Sequence, residues 1–274
     1  MVVFPWAKIN LGLYITEKRS DGFHNIESLF YPIPFCDVLE ILPSEQASFQ
    51  SSGLPIPGSQ EQNLCWKAYE CLKKDHKLGP VQLHLHKIIP MGAGLGGGSS
   101  DAAQVLMGLN ACFQLGLGPE DLWAYAHALG SDCGFFLQEH AAIGRGRGDE
   151  LQVYELDLSS YYLVLLHPQV HISTAAAYAR VRPKTPDFAL EGLNQVPIKE
   201  WKHCLQNDFE AALFPSHPIL TEIKQGLYAQ GAIYAAMSGS GSALFGLFHS
   251  APSLGPELEK WKVWSGYLTS GNKK

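Results

Sequence analysis

From Ala7 to Thr16 the chain alternates: Ile9, Leu11, Leu13 and Ile15 point one way, and Lys8, Asn10, Gly12 and Tyr14 the other. That is the period-two pattern of a strand, so Lys8 and Asn10 share a face, which on a lone strand reads as the solvated side of an edge. Asp21-Gly22 marks a turn, and Ile26, Leu29 and Tyr31 begin a second apolar segment. Residues 44–62, rich in Ser, Pro, Gly and Gln, read as a surface loop with a short strand around Phe49. Asn63 then caps a helix to Lys74 with Leu64, Ala68, Cys71 and Leu72 inward, and Val81, Leu83 and Leu85 predict a further strand.

Beyond a glycine-rich segment, Ala102, Val105, Leu106, Leu109, Cys112 and Phe113 form a helical stripe, with Ser99 or Ser100 expected as its N-cap and Asp101 in its first turn. Pro119-Glu120-Asp121 opens another helix, which Gly130 stops. Tyr162–Leu166 is a continuous apolar run suited to a central strand, and His167-Pro168 ends it where a second domain begins. Asn207-Asp208 caps a helix toward Leu213, and Pro218 to Leu227 forms the next. Between Gly231 and Phe248 there is no charged residue, near membrane-span length, but the glycines and serines that interrupt the run make it two buried strands and a loop.

Composition narrows this picture. With 274 residues and 46% hydrophobic content the chain can build one or two cores. A formal charge of -6 without a basic run excludes nucleic acid and acidic membrane as expected partners. Six cysteines without a C-x-x-C pair read as free thiols in a reducing cytoplasm, and Met1–Trp6 passes directly into a strand, which leaves no room for a signal segment.

The chemistry starts at Pro90–Ala103, where five glycines fall within Gly92–Gly98 and two serines and a helix follow. Glycine at that density indicates positive φ or close approach to a bulky group, and a glycine loop feeding a helix N-terminus offers backbone N–H groups to phosphate. A tight strand-to-helix turn with no ligand is the other reading. Gly92-x-Gly94-x-x-Gly97 fits the dinucleotide spacing but lacks the acidic ribose partner, and Gly98 stands where a P-loop needs lysine.

Pro90-x-x-x-Gly94-Leu95-Gly96-Gly97-Gly98-Ser99-Ser100-x-Ala102 resembles the ATP-phosphate loop of the GHMP kinases, the superfamily of galactokinase, homoserine kinase and mevalonate kinase. Other segments agree in order: Pro5 with Lys8-Ile9-Asn10-Leu11, Lys18-Arg19-x-Asp21-Gly22-Phe23-His24, Gly130-x-Asp132-x-x-Phe135-Phe136, and Met237–Ser242. The resemblance implies a two-domain α+β fold, with an N-terminal mixed sheet and helices over 1–158 and a C-terminal ferredoxin-like domain over 159–274.

It also implies a small-molecule kinase using ATP, with Mg2+ carried by ATP rather than by a protein metal site. Pro90, Gly92, Gly94, Leu95, Gly96, Gly97, Gly98, Ser99 and Ser100 would hold ATP. Lys8 and Asp132 would be catalytic, Lys8 stabilising the transferring phosphoryl charge and keeping Asp132 ionised. Asn10, Ser238, Gly239 and Ser240 would contact substrate, although a hairpin turn alone would also use such small residues at 237–242.

The run ending in Phe23-His24 resembles one branch whose substrate carries a cytidine diphosphate moiety. It implies Phe23 stacking on cytosine, His24 reading its polar edge and Tyr178 as a second aromatic, although a core tyrosine fits as well. Phe23 stands where that branch has tyrosine, Gly134 where it has proline, which predicts a looser loop, and Asp149 where it has glutamate. Another alcohol, of the homoserine or mevalonate type, is the alternative substrate, and an idle nucleotide-binding protein the alternative class. A monomer or weak homodimer is expected.

Overall fold

The computed structural model describes residues 1–268. Its strands are β1 (Val2–Val3), β2 (Trp6–Lys18), β3 (His24–Cys36), β4 (Val38–Pro43), β5 (Ser48–Gly53), β6 (Val81–Lys87), β7 (Ala142–Arg145), β8 (Glu150–Val153), β9 (Tyr162–Leu166), β10 (Tyr234–Met237), β11 (Leu244–Phe248) and β12 (Lys262–Tyr267). Its α-helices are α1 (Leu64–Asp75), α2 (Gly97–Cys112), α3 (Pro119–Leu129), α4 (Thr174–Tyr178), α5 (Trp201–Cys204), α6 (Asp208–Leu213), α7 (Pro218–Ala229) and α8 (Pro256–Glu259). They fold into two compact units, neither a continuous stretch: one takes Met1–Ala7, Phe35–Met91 and Gly96–Glu139, the other Lys8–Pro34, Gly92–Leu95 and the chain from His140.

The first unit is a mixed sheet in the order β1-β4-β6-β5 with helices α1 to α3. β4 runs antiparallel to β1 and β6, whereas β5 runs parallel to β6. On β6 the alternation is clean: Val81, Leu83 and Leu85 are buried against Leu39 and Ile41 of β4 and the apolar stripes of α1 and α2. Asn63 caps α1 by accepting from the Cys65 amide over 2.8 Å. The buried stripe is Cys65, Ala68, Tyr69 and Leu72, so the expected inward positions Leu64 and Cys71 lie at its margins, only partly buried. The segment expected as mostly loop carries the six-residue β5 around Phe49.

The second unit holds the sheet β2-β3-β7-β8 and the antiparallel sheet β10-β11-β9-β12. β9 is interior, as its unbroken apolar run predicts, and β10 and β11 are the two strands of the uncharged stretch. β2 ends its sheet in hydrogen-bonding order, yet every residue from Ala7 to Ile15 is buried, so the solvated polar face that a lone edge strand would show is absent. The edge is covered by backbone: Lys8 N–H donates to Leu95 C=O, Leu13 N–H to Gln206 C=O, and Lys184 N–H to Ile15 C=O. Ladder groups that an edge would leave to water are thereby satisfied, and the polar side chains of β2 are carried inside.

All six cysteines are free; Cys65 and Cys133 are buried and the others half-buried. Among the described residues no helix is long and apolar enough to cross a membrane.

Candidate active site

The glycine loop uses its conformational freedom. Gly92, Gly94 and Gly96 have φ of 64°, 80° and 71°. Gly96, not Ser99 or Ser100, is the N-cap of α2, and its left-handed backbone swings Gly97 into the first helical position. The first intrahelical bond runs from Ser100 N–H to Gly96 C=O over 2.9 Å, which leaves the amides of Gly97, Gly98 and Ser99 without an acceptor in the helix. Ser100 N–H is spent, and its hydroxyl is sealed inside with no partner. Pro90 and Leu95 are buried on either side of the loop, while Gly92 is exposed.

Moving the helix start back to Gly97 displaces Asp101 from the expected first turn into the interior. There its Oδ2 accepts from Lys87 Nζ at 2.7 Å, and the same ammonium reaches Asp37 Oδ2 at 2.5 Å, all three side chains being essentially inaccessible. Asp37 Oδ1 accepts from the Ile88 and Ile89 amides. Burial pushes the Asp101 carboxyl up to about 7, the Lys87 charge opposing this and Asp37 adding to it. Burial pulls Lys87 down, but the two carboxylates outweigh it and leave its ammonium strengthened. A Cβ on Gly97 would stand 2.9 Å from Lys87 Nζ and from Ile89 Cγ2, so the first residue of α2 lies directly on this cluster. Nothing local in the sequence signals it, because the partners are 14 and 50 residues from Lys87.

Asp132, half-buried, immediately precedes the short helix Cys133–Leu137 that follows α3, and its carboxylate makes no capping bond to it. The next residue, Cys133, has its thiol pushed up to about 11 by burial, with the Ser99 hydroxyl lowering it and Asp132 raising it, so this short helix lies beside the first turn of α2. Gly134, expected to loosen the segment, is buried against the Trp123 indole: a Cβ there would come within 2.6 Å of the ring. The indole fills the space, and the loop is held by packing.

In the second unit Lys8 and Asn10 are 4% and 2% exposed and share a face as the alternation requires. Lys8 Nζ donates to Asn10 Oδ1 at 2.7 Å and stands 5.2 Å over the Phe30 ring. Asn10 Nδ2 donates to Ser28 Oγ at 2.7 Å, and Ser28 donates to Gly12 C=O at 2.6 Å. Ser238, fully buried, donates to Gly94 C=O at 2.9 Å and also stands 3.4 Å from Asn10 Oδ1. The structure thus brings Lys8, Asn10, Gly94 and Ser238 together, with Ser28 added as a partner the alternation did not single out. Gly239 packs on Gly94, where a Cβ would meet Gly94 Cα at 3.0 Å, and Ser240 is 3.4 Å from Thr174 Oγ1.

The aromatic candidates gather in the same unit. His24 stacks on Tyr178 with centroids 4.9 Å apart and planes 24° apart, and Tyr178 meets Phe209 edge-on at 4.9 Å. Burial, then the nearby Lys18 charge, lowers the His24 pKa, so at neutral pH the ring offers one donor and one acceptor. Phe23 keeps one side exposed and carries the Arg147 guanidinium 5.3 Å from its centroid. Arg147 is in turn held by Asp149, which also accepts from the Arg147 amide at 2.9 Å. None of the sequence motifs singles out Arg147; its contact with Phe23 is what brings it to the site.

Comparison with known proteins gives these features a class. The GHMP kinases N terminal domain matches residues 63–141 and the GHMP kinases C terminal domain 189–262, and the fold is that of the GHMP kinases. The homoserine kinase of Cytophaga hutchinsonii shares it at TM-score 0.65 and 18% identity, over 91% of this chain and 85% of that one. A crystal structure of 4-(cytidine 5'-diphospho)-2C-methyl-D-erythritol kinase superimposes at TM-score 0.81 with 34% identity, covering 99% of this chain and 100% of the other. The 4-diphosphocytidyl-2-C-methyl-D-erythritol kinase of Parabacteroides distasonis is 47% identical across 98% of this chain and 100% of its own length. That of Bacteroides fragilis is 50% identical over 90% and 92%. The chain therefore belongs to the 4-diphosphocytidyl-2-C-methyl-D-erythritol kinase family of the GHMP kinases, and is an ATP-dependent small-molecule kinase.

Proposed function

We propose that the chain transfers the γ-phosphoryl group of ATP to the 2-hydroxyl of 4-diphosphocytidyl-2-C-methyl-D-erythritol, a step of non-mevalonate isoprenoid precursor synthesis. The observation that carries this reading is identity of 47% along the whole length of a kinase of that name. Phosphoryl transfer needs positioning and charge stabilisation more than covalent help. The unspent amides of Gly97, Gly98 and Ser99 at the positive end of α2 suit the ATP phosphates, with Pro90, Gly92, Gly94, Leu95, Gly96 and Ser100 shaping the loop. Lys8 stabilises charge on the transferring group, and Asn10 holds the ammonium at its working position. Asp132 orients the substrate hydroxyl and accepts its proton. Phe23 stacks on the cytosine, neutral His24 reads its polar edge, Tyr178 backs His24, and Ser238-Gly239-Ser240 closes the substrate side.

Mg2+ is read as a companion of the ATP oxygens, where it would supply positive charge. We assign ATP binding and catalysis to 1–158, which also carries the Phe23 and His24 contacts to the base, and the remaining substrate contacts to 159–274, a division supported by the separate domain matches, and read the protein as a cytoplasmic monomer or weak homodimer.

The test is coupled ADP release with the cytidyl substrate, its uridyl analogue, homoserine and mevalonate, for the wild type and Asp132→Asn. Turnover confined to the cytidyl compound is expected, and Asp132→Asn should lose about 1,000-fold in kcat with ATP binding nearly unchanged. Equal turnover of homoserine or mevalonate would overturn the substrate, and near-normal turnover by Asp132→Asn the role of that carboxylate.

A further inference from the structure

We infer that Asn207 is a positioning residue for phosphoryl transfer, fixing the Ser238–Ser240 turn against β2; this rests on reading that turn and Lys8 as parts of the kinase site. Asn207 is 5% exposed and uses its amide in full. Its Oδ1 accepts from the Phe209 amide at 3.0 Å and caps α6. Its Nδ2 donates to Met237 C=O at 2.8 Å and to Gly239 C=O at 2.9 Å. One turn further along α6, Glu210 Oε1 accepts from Met237 N–H at 2.8 Å. Side chains from the start of α6 thus grip both backbone groups of the last residue of β10 and a carbonyl of the turn that follows.

The turn needs such a grip. Gly239 and Gly241 have φ of 56° and 85°, and glycines free to take such angles also lose the most entropy when fixed. The position of Ser238 within the turn decides whether its hydroxyl meets Gly94 C=O and Asn10 Oδ1, the atom that receives the Lys8 ammonium. Asn207 is tied to β2 as well: Leu13 N–H donates to Gln206 C=O at 2.8 Å, and Leu13 and Asn207 form a parallel bridge. One residue therefore registers the turn against the strand that carries Lys8 and Asn10.

Only a side chain with two hydrogens on one atom and an acceptor on another can serve both carbonyls and the cap. A carboxylate of the same shape would keep the cap but face two carbonyl oxygens, and burial among them would raise its pKa, so falling pH would restore one donor. In ADP release at saturating substrates, Asn207→Asp is expected to lose about 30-fold or more in kcat near pH 8.5 and to recover at least about fivefold relative to wild type near pH 6. Amide exchange provides a readout independent of turnover. The Ser238 and Gly241 N–H groups, bonded to Ala243 and Ser238 carbonyls, should exchange about tenfold faster in the variant near pH 8.5. If Asn207→Asp does not fold, Asn207→Ser, which also caps a helix but is too short to reach both carbonyls, is read by the same kcat loss and exchange. A kcat within threefold of wild type, a deficit equal at both pH values, or unchanged exchange at Ser238 and Gly241 overturns the inference. A wild type that releases no ADP with the cytidyl alcohol overturns the functional reading instead, and the exchange result still decides whether Asn207 holds the turn.

Discussion

The Lys8 ammonium and the Asn10 amide oxygen are 2.7 Å apart inside the second unit, on one face of a strand that is buried on both. On the proposed role, Lys8→Met should lower kcat about 1,000-fold, since the charge acts in the transition state. Asn10→Ala acts on stability as well. It takes one hydrogen-bond partner from each of Lys8, Ser28 and Ser238, and urea unfolding should show a loss of about 1–3 kcal/mol, with kcat also reduced. A Lys8→Met enzyme with kcat within about tenfold of wild type would contradict the assignment of the lysine to chemistry.

What was legible in the sequence follows the range of the interactions. The alternation over 7–16 placed Lys8 and Asn10 on one face, because side-chain direction in a strand is a local property. Their burial was not legible, since it comes from the backbone near Leu95, Gln206 and Lys184 lying along the edge of β2. The α2 start was displaced for a related reason. Glycine is a poor helix former, so the serines looked like the cap, yet Gly97 opens the helix at a place where Lys87 and Ile89 leave no room for a Cβ. Asp101, Trp123 and Arg147 all act through partners distant in sequence or outside any motif. The His24–Tyr178 stack joins residues far apart in the chain; the family resemblance named each as a candidate, but nothing in the sequence brought the two rings together.

The glycines of the loop that leads into α2 should separate by experiment. At Gly94, φ of 80° disfavours any side chain, and a Cβ would lie 2.0 Å from the Ser238 carbonyl oxygen. Gly94→Ala must therefore displace the turn that Ser238 occupies, and is expected to abolish detectable turnover and lower the melting temperature. Gly98 is helical, and its Cβ would meet only Leu64 Cδ1 at 3.9 Å. Gly98→Ala should stabilise by about 0.5–1 kcal/mol in urea titration, as alanine gains over glycine within a helix. Equal destabilisation by both substitutions would mean that density of glycine, not position, is what the loop requires.

Phe23 offers a test of substrate recognition separate from phosphoryl transfer. One side of its ring is open and Arg147 stands 5.3 Å from its centroid, so a cytosine stacked there would also feel the guanidinium. Stacking of a base on an aromatic ring is worth about 1–3 kcal/mol, so Phe23→Leu should raise KM for the cytidyl substrate about 5- to 150-fold with kcat and the KM for ATP little changed. Phe23→Tyr should leave KM at or below the wild-type value, because the ring face is kept. A Phe23→Leu enzyme with unaltered KM for the cytidyl compound would remove Phe23 from the base-binding surface.

The Lys87–Asp37–Asp101 cluster beneath α2 predicts a pH dependence of stability whose sign differs from that of an ordinary salt bridge. Burial raises the Asp101 carboxyl from an unfolded value of 3.8 to about 7, despite the opposing Lys87 charge. Between those values the folded protein binds the proton and the unfolded chain does not. The contribution is therefore complete below about pH 4 and lost as pH rises through about 7, at up to about 1.4 kcal/mol per pH unit. Asp101→Asn removes this titration while keeping a carbonyl oxygen for Lys87. Urea unfolding at pH 5, 6, 7 and 8 should then show the stability of the wild type, relative to Asp101→Asn, falling as pH rises and levelling above about 8. A difference that grows with pH would mean that Asp101 is ionised throughout and that the Lys87 charge, not burial, governs it. Lys87→Met supplies the complementary arm: it leaves two buried carboxyl groups without their cation, and should cost about 3–5 kcal/mol at pH 8 but less at pH 5, where one of them is protonated.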